Sequence, residues 1–213
     1  MRNQLSLNDY PNNLTIGYGV DIPFGRGQRF LSSTPVNALV SGWRINGITS
    51  FVSGTPLTIG ANANDTTSPN ALMLYFGGGG YLQNQNGLQP LRPNVVAGCN
   101  KKQSGSAVDR VNSGKWFNTA CFTQPGSYQF GNEPRADSAI RRQGVNNWDF
   151  SIAKATHLAE KFTLTFDAEF FNIFNRVQFA PPFEAMYSGP NWGHVTSQLN
   201  NPRQIQFGLR ITR

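Results

Sequence analysis

The sequence has little charge and no long apolar run. Charged residues make up 14% of the 213 residues. Nowhere do apolar residues continue for the roughly 18 positions that a transmembrane helix requires, so a membrane-spanning helix is excluded. The chain instead holds 22 glycines and 12% aromatic residues, together with many Asn, Gln, Ser and Thr. This composition favours β-structure joined by long polar loops.

Motifs of catalysis and metal binding are also missing. The two histidines, His157 and His194, lie far apart in the sequence, and neither has metal-binding neighbours. The chain contains no HExxH, GxSxG or phosphate-binding loop, and no GxGxxG follows a strand. Asp167 and Glu169 share a strand face, but such a pair more often binds water and arginine than performs acid–base chemistry. We therefore predict no enzyme activity, no cofactor and no metal site.

The net charge of +7 raises the question of nucleic-acid binding. The basic residues are scattered singly or in pairs, such as Lys101 with Lys102, and they form no stripe with interleaved aromatic residues. A diffuse positive balance is typical of a solvated surface. We expect no nucleic-acid partner.

The N-terminal residues MRNQLSLNDYPNN lack the apolar core of a secretory signal peptide. Two explanations are open: a cytoplasmic protein, or a chain whose natural product begins upstream of Met1. The count of strands favours the second explanation. We therefore expect a section of a longer protein.

The clearest pattern in the chain lies between Asn147 and Arg176. From Phe162 to Phe170 apolar and polar residues alternate strictly, and residues 147–157 show the same period of two. This period is typical of a β-strand with two unlike faces. The segment 157–161 is predicted to be a short turn, so that the whole stretch forms one antiparallel hairpin.

The strands of this hairpin are long, because they reach about eleven residues where strands of soluble proteins most often have about 5–6. Eleven residues at about 3.3 Å each, tilted by about 45°, span about 26 Å. An outer-membrane barrel needs an apolar band of about 25 Å. A large soluble β-sandwich is the alternative, because its strands alternate in the same way.

Three further segments are predicted to be strands. They are residues 13–24, 39–53 and 203–213, which join the hairpin strands at 147–157 and 162–174. The connections between the five are short, very long, short and long in turn, and alternate connections of an antiparallel sheet lie at the same end. This asymmetry predicts an all-β antiparallel fold that forms part of a transmembrane barrel with long external loops.

The barrel arrangement assigns each strand residue to the lumen or to lipid. The polar residues expected to face the lumen are Asp149, Thr163, Thr165, Asp167, Glu169 and Arg210. The residues expected to face lipid are Trp148, Phe150, Ile152, Phe162, Leu164, Phe166, Phe170, Ile205, Phe207, Leu209 and Ile211. Cross-strand ion pairs in the lumen are expected among Asp149, Asp167 and Arg210.

The two long connections cover residues 60–146 and 177–202, and both are expected outside the cell. Because loops longer than about 15 residues are usually functional or disordered, the first is either a loop or a folded cap. It contains Cys99 and Cys121. A disulfide between them would close a loop of about 23 residues and contribute roughly 3 kcal/mol. Two free thiols are the alternative, and a zinc site would need ligands that are not nearby.

Several stretches resemble the C-terminal barrel section of TonB-dependent receptors, specifically the Oar-like group, whose chains begin with a carboxypeptidase-regulatory-like domain. The most specific are FGNEPRADSAIRRQGVNNWDFSIAK (130–154), FTLTFDAEFFNIFNRVQF (162–179) and WGHVTSQLNNPRQIQFGLRIT (192–212). WRINGITSFVSGTPLTI (43–59) and VDIPFGRGQRF (20–30) are similar to earlier strands of such a barrel. Together they cover most of the chain.

The resemblance implies a 22-stranded barrel around a plug, energised through the TonB system and surrounded by outer-membrane lipid. It also implies uptake of a large, scarce solute such as a metal chelate or a glycan. A plug, a TonB-contacting segment and most strands are not recognised in the sequence, and Arg213 stands where an aromatic residue is expected. We therefore expect a section of a receptor barrel, inactive alone, with the remaining strands and plug as partners. A structural or adhesive barrel and a soluble carbohydrate-binding β-sandwich are the alternatives.

Overall fold

The computed structural model describes residues 5–25, 29–30, 37–61, 92–125, 131–159 and 161–213. Within them the named strands all pair antiparallel. Helix in these residues is limited to α1 (Asn37–Val40), α2 (Ala107–Asn112) and two 3₁₀ segments. The predicted all-β antiparallel fold class is thereby confirmed. In the described ranges, no helix combines the length and apolar character needed to cross a membrane.

Five of the strands in the described residues form one large sheet. In chain order the strands of the described residues are β1 (Asn13–Asp21), β2 (Trp43–Val52), β3 (Pro56–Leu57), β4 (Asn94–Val95), β5 (Phe122–Thr123), β6 (Asp137–Arg141), β7 (Val145–Ala159), β8 (Phe162–Phe171) and β9 (Gln204–Thr212). The large sheet has the order β1-β2-β7-β8-β9. Its members lie where the sequence predicts the five strands. Among the described residues β1 and β9 are its edges, each paired on one side.

The structure corrects the first connection of the sheet. The sequence predicts a second strand from residue 39, but α1 ends at Val40 and β2 begins at Trp43. The indole N–H of Trp43 donates to the carbonyl of Leu39 at 2.9 Å, which holds the end of this helical turn in place. Gly25 turns the chain after β1 at a φ of 108°, a conformation open mainly to glycine. The connection therefore covers residues 22–42, and the prediction of a short turn is wrong.

The turn of the central hairpin is tighter than the sequence predicts. Backbone pairing continues beyond His157, which lies opposite Thr163, to Ala159, which lies opposite Phe162 across a register shift. The His157 Nδ1 atom is 3.0 Å from the Thr163 hydroxyl. His157 is thus a strand residue, and only residues 160 and 161 separate β7 from β8.

The described residues divide into two compact units. The sheet unit comprises Asn12–Val52, Val145–Val177 and Asn200–Arg213, and the loop unit comprises the described residues of Met1–Pro11, Ser53–Gly144 and Gln178–Leu199. The two segments predicted as separate loops therefore contribute to one folded body. The first of these segments also contains four consecutive glycines at 77–80, which lie outside the described residues.

A small apolar core holds the loop unit together. Leu57, Ile59 and Phe117 are fully buried in one cluster. Trp192, from the second predicted loop, packs edge-on against Phe117 and Phe122, with ring centroids 6.0 and 6.1 Å apart. Burying a side chain of this size contributes on the order of 1.5–3 kcal/mol. The two long segments therefore stabilise each other through side chains that neither could bury alone.

Candidate functional site

The register of the large sheet sorts its side chains onto two faces. Residues paired directly across neighbouring strands point to the same face. Along one such row, Ile45 of β2 pairs with Ile152, Ile152 with Ala168, and Ala168 with Phe207. All residues predicted to face lipid share this apolar face: Trp148, Phe150, Ile152, Phe162, Leu164, Phe166, Phe170, Ile205, Phe207, Leu209 and Ile211. That the face contacts lipid stays a prediction.

The apolar face is widely exposed along β9. Phe207 is 68% exposed and Leu209 is 70% exposed. Phe166 stacks on Phe207 with ring centroids 6.2 Å apart, and Phe150 and Phe170 lie opposite each other at 6.1 Å. Monomers in water rarely expose a continuous apolar patch of more than a few hundred Å². A continuous aromatic and aliphatic surface of this kind suits contact with hydrocarbon.

The opposite face carries the polar residues predicted for the lumen. Glu169 lies between Ser151 and Gln206, and Thr165 lies opposite Arg210. The structure brings all six predicted residues to this polar face: Asp149, Thr163, Thr165, Asp167, Glu169 and Arg210. That the polar face borders a lumen stays a prediction.

A depression of about 340 Å³ lies in the sheet unit. Its lining consists of Gly17, Tyr18, Asn46, Gly47, Ile48, Asp149, Phe150, Ser151, Glu169 and Phe171. Two glycines belong to this lining: a side chain at Gly17 would meet no atom within 4 Å, whereas Gly47 is covered by the ring of Tyr18. The carboxylates of Asp149 and Glu169 are the acidic groups of this lining, so it offers acceptors to water and to hydroxyl groups.

The ion pairs predicted for the polar face are absent from the described residues. Asp167 lies opposite Gly208, and Arg210 lies opposite Thr165, so the carboxylate and the guanidinium start from different rows of the sheet. Asp149 is engaged elsewhere. Its carboxylate accepts hydrogen bonds from the Asn147 side chain and from the backbone N–H of Asn172, both at 2.9 Å.

Asn172 is an important residue that the sequence analysis does not identify. It follows β8 at a φ of 51° and is 7% exposed. Its Nδ2 donates to the carbonyls of Arg176 and Asn201 at 3.0 and 3.2 Å, and its Oδ1 accepts from the Arg176 N–H at 2.8 Å. These bonds tie the end of β8 to the chain that leads into β9. The available signal is an asparagine directly after an alternating strand, because asparagine tolerates positive φ better than most residues.

Lys154 is a second residue without a predicted role, a cation on the apolar face. Its Nζ lies 5.0 Å from the ring centroid of Trp43, its cross-strand partner. The same Nζ donates to the carbonyls of Leu39 and Ser41 at 2.9 Å. A lysine whose stem covers apolar surface while its ammonium reaches polar atoms is typical of a membrane interface. These contacts explain how a charged residue is accommodated on an otherwise apolar face.

A buried charge cluster lies in the loop unit. Lys101 forms ion pairs with Glu133, at 3.2 Å, and with Asp137. Burial, and then the hydrogen bond and charge of Asp137, raise the pKa of Glu133 to about 7 against the opposing effect of Lys101. Burial alone would lower the pKa of Lys101, but the two acidic partners together raise it above its ordinary value. The cluster thus combines a firmly charged lysine with a glutamate that titrates near neutral pH.

A disulfide joins Cys99 to Cys121, whose Cα atoms are 5.4 Å apart. Cys121 is buried in the apolar core of the loop unit, and Cys99 packs against that core. The bond therefore links both ends of the segment that contains α2 to the core of the loop unit.

The two histidines do not come together, because His157 and His194 belong to different units. Within the described ranges, no three His, Cys, Asp or Glu side chains cluster in a way that could hold a metal ion.

Comparison with known proteins assigns the chain to a family. A family model described as an outer membrane β-barrel domain matches residues 2–206. No curated protein and no solved structure matches the chain. The matched range contains β1, β2, β7 and β8 and reaches into β9. The chain therefore belongs to the outer membrane β-barrel domain family, and its location is the bacterial outer membrane.

Proposed function

We propose that the chain forms part of the wall of a TonB-dependent receptor barrel that takes up a large solute. The exposed edges of the sheet are the observation that carries the proposal. Within the described residues β1 and β9 are each paired on one side. Hydrocarbon offers no hydrogen-bonding partner to an unpaired strand edge. Further strands are therefore needed beside both edges.

Strand direction defines which strands are suitable. Because every neighbouring pair in the five-stranded sheet is antiparallel, β1 and β9 run in the same direction. Antiparallel closure then needs an odd number of additional strands, with the first and last running opposite to β1. A second copy of this sheet inserted in the same orientation presents β1 in the wrong direction. Copies of this sheet alone therefore cannot close an antiparallel barrel, and we propose that strands of different sequence form the remaining wall, as in a large receptor barrel.

The two long connections support the receptor interpretation. The β2–β7 and β8–β9 connections both start from the same end of the sheet, and together they build a folded unit with a disulfide. Long, structured external loops are typical of barrels that bind a solute before it enters. The polar face of the sheet then borders the lumen, and the solute enters on that side.

Photo-cross-linking in cells tests the barrel wall. A photo-cross-linking amino acid is placed at Gln206 of β9 or at Thr15 of β1. It is expected to form cross-links to the barrel strands that lie beside these edges, and the cross-linked products are expected to co-purify with TonB. The same amino acid at Ser151 of the central strand β7 is the control and is expected to capture only the neighbouring strands β2 and β8 of this chain. Products that contain only lipid, or only copies of this chain, contradict the proposal.

Uptake is tested separately from assembly. Cells with and without the gene are compared for accumulation of ferric chelates and oligosaccharides, before and after the proton-motive force is dissipated. A difference that disappears on dissipation supports TonB-dependent uptake. Cross-links to barrel strands without any energy-dependent uptake indicate a structural or adhesive barrel instead.

A further inference from the structure

A basic cavity in the loop unit plays no part in the barrel wall. It has a volume of about 230 Å³, and its lining includes Lys102, Gln103, Arg110, Ser138, Arg141 and Arg142. Four of these residues are basic and none is acidic. A concave surface lined by one sign of charge concentrates ions of the opposite sign. The cavity is therefore suited to anions.

Two of the four cations are already neutralised. Arg141 donates to the carboxylate of Asp9 at 2.6 Å, and Arg142 donates to Glu184 at 2.9 Å. Neither carboxylate belongs to the lining. The other two basic residues of the lining form no ion pair with any residue in the described part of the chain. Their positive charges remain available to a ligand.

Arg110 is the better organised of these two cations. Its guanidinium carbon lies 5.5 Å from the ring centroid of Trp116, which restricts the orientation of the group. Its Nε is buried and has no hydrogen-bond partner among the described residues. A buried donor without a partner is destabilising, and more so when it is charged. A guanidinium binds carboxylate or phosphate through two parallel N–H···O bonds, so the guanidinium of Arg110 is suited to an oxyanion in this cavity.

Neutral polar groups complete the cavity. Gln103 and Ser138 belong to the lining, and Lys102, an exposed residue, belongs to it as well. An amide and a hydroxyl can each donate to a further ligand oxygen. Sites for drug-sized molecules have volumes of about 300–1,000 Å³, so the smaller volume here restricts the ligand to a small group.

We propose that this cavity binds an oxyanion, either a phosphate or a carboxylate, carried on a group no larger than a monosaccharide. Arg110 supplies the forked contact and Lys102 the second positive charge. A free small anion and the phosphate of a membrane glycolipid both offer this chemistry. The proposal concerns the loop unit and does not rest on TonB-dependent uptake, since binding is measured without transport.

The test uses the complete protein extracted from the outer membrane in a neutral detergent. Inorganic phosphate and glucuronate are titrated by calorimetry at low ionic strength. Saturable binding is expected for the natural sequence, with a loss of about tenfold or more in Arg110→Gln, because a charge-assisted bond is removed. Arg110→Lys keeps the charge without the fork and is expected to lose less. Lys161→Gln, in the exposed hairpin turn, is the matched control and is expected to bind as the natural sequence does.

A competition experiment separates the two sources of the anion. If an equimolar diphosphorylated glycolipid abolishes binding of inorganic phosphate, the site recognises the membrane surface; if phosphate still binds, the site recognises a free anion. Absence of saturable binding of both probes overturns the proposal. So does equal binding by Arg110→Gln and the natural protein when their circular dichroism spectra agree. Should Arg110→Gln fail to fold, Lys102→Gln decides, and undiminished binding there overturns the proposal.

Discussion

The backbone N–H of Asn172 donates a hydrogen bond to the carboxylate of Asp149, 23 positions earlier, at 2.9 Å. Asp149 lies near the start of β7, and Asn172 directly follows β8. The Asn172 side chain in turn bonds the carbonyl of Asn201, which precedes β9. One pair of residues therefore fixes the ends of three neighbouring strands, and sheet register in a barrel depends on such fixed ends.

Replacement of Asn172 by alanine is expected to destabilise the sheet by roughly 2–3 kcal/mol, from lost hydrogen bonds and from an alanine at positive φ. The measurement is urea unfolding of the protein in lipid vesicles, followed by tryptophan fluorescence. Asn172→Gly is the comparison, because glycine accepts the backbone conformation and recovers about 1 kcal/mol. Equal losses in the two variants would show that backbone strain is not involved.

A lysine is expected to destabilise the protein on one face of β7 and to be tolerated on the other. Ile152 lies in the centre of the strand on the apolar face, and its neighbour Ser151 lies on the polar face opposite Glu169. Ile152→Lys is expected to cost about 2–4 kcal/mol, the cost of a lysine facing the middle of the bilayer. Ser151→Lys is expected to have little effect. Unfolding from vesicles measures both, and a larger cost at Ser151 would reverse the assignment of the faces.

Loss of the disulfide is expected to loosen the loop unit. Cys99 and Cys121 are 22 positions apart in sequence, and cross-linking a loop of this size contributes roughly 3 kcal/mol. The double variant Cys99→Ala and Cys121→Ala should therefore be cut faster by protease added to intact cells. Reduction of the natural protein should have the same effect, and the double variant should be insensitive to the reductant. Unchanged cleavage in both cases would show that the bond is dispensable.

The buried cluster predicts a loop unit that is more stable in mild acid. The folded state raises the pKa of Glu133 from 4.5 to about 7, so it holds the proton more tightly than the unfolded state. This contribution to the free energy of unfolding is fully present below the unfolded pKa and is lost as the pH rises through the folded pKa. Hydrogen-exchange protection in residues 131–141 should consequently fall between pH 5 and pH 8.

Glu133→Gln tests this origin, because glutamine resembles the protonated glutamate and does not titrate. The pH dependence should become flatter in this variant. A weaker dependence of the same sign should persist, since burial, opposed by Arg142, also raises the pKa of Glu184. Glu169→Gln, on the sheet, is the control and should leave the slope unchanged. A steeper slope in Glu133→Gln would contradict the assignment.

The strands were accessible to sequence reasoning because their signal is local. Alternation in the segment from Phe162 to Phe171 depends only on which face each residue occupies, and that follows from a period of two. The same rule places Phe166 and Leu209 on one face before their pairing is known. It fails where local conformation changes, as at α1, whose residues carry no signal strong enough to end the predicted strand.

The loop unit was not accessible in the same way. The rings of Trp192 and Phe117 pack together with their centroids 6.0 Å apart, although the two residues lie in different long segments. Neither segment has a period that predicts this contact. Arg110 and Lys102 likewise share a cavity with β6 only because the chain folds back on itself. Contacts between residues remote in sequence depend on packing, which periodicity does not encode.

The sequence by itself determined the class of the protein, the positions of the five strands and the division of their side chains into two faces. These properties follow from residue type and from alternation along one strand. Tertiary structure alone decided that the two long segments form one unit, that Asp149 binds Asn172 instead of pairing with Arg210, and that a basic cavity exists. Each of these depends on which distant residues meet, and register and burial fix that only in the folded chain.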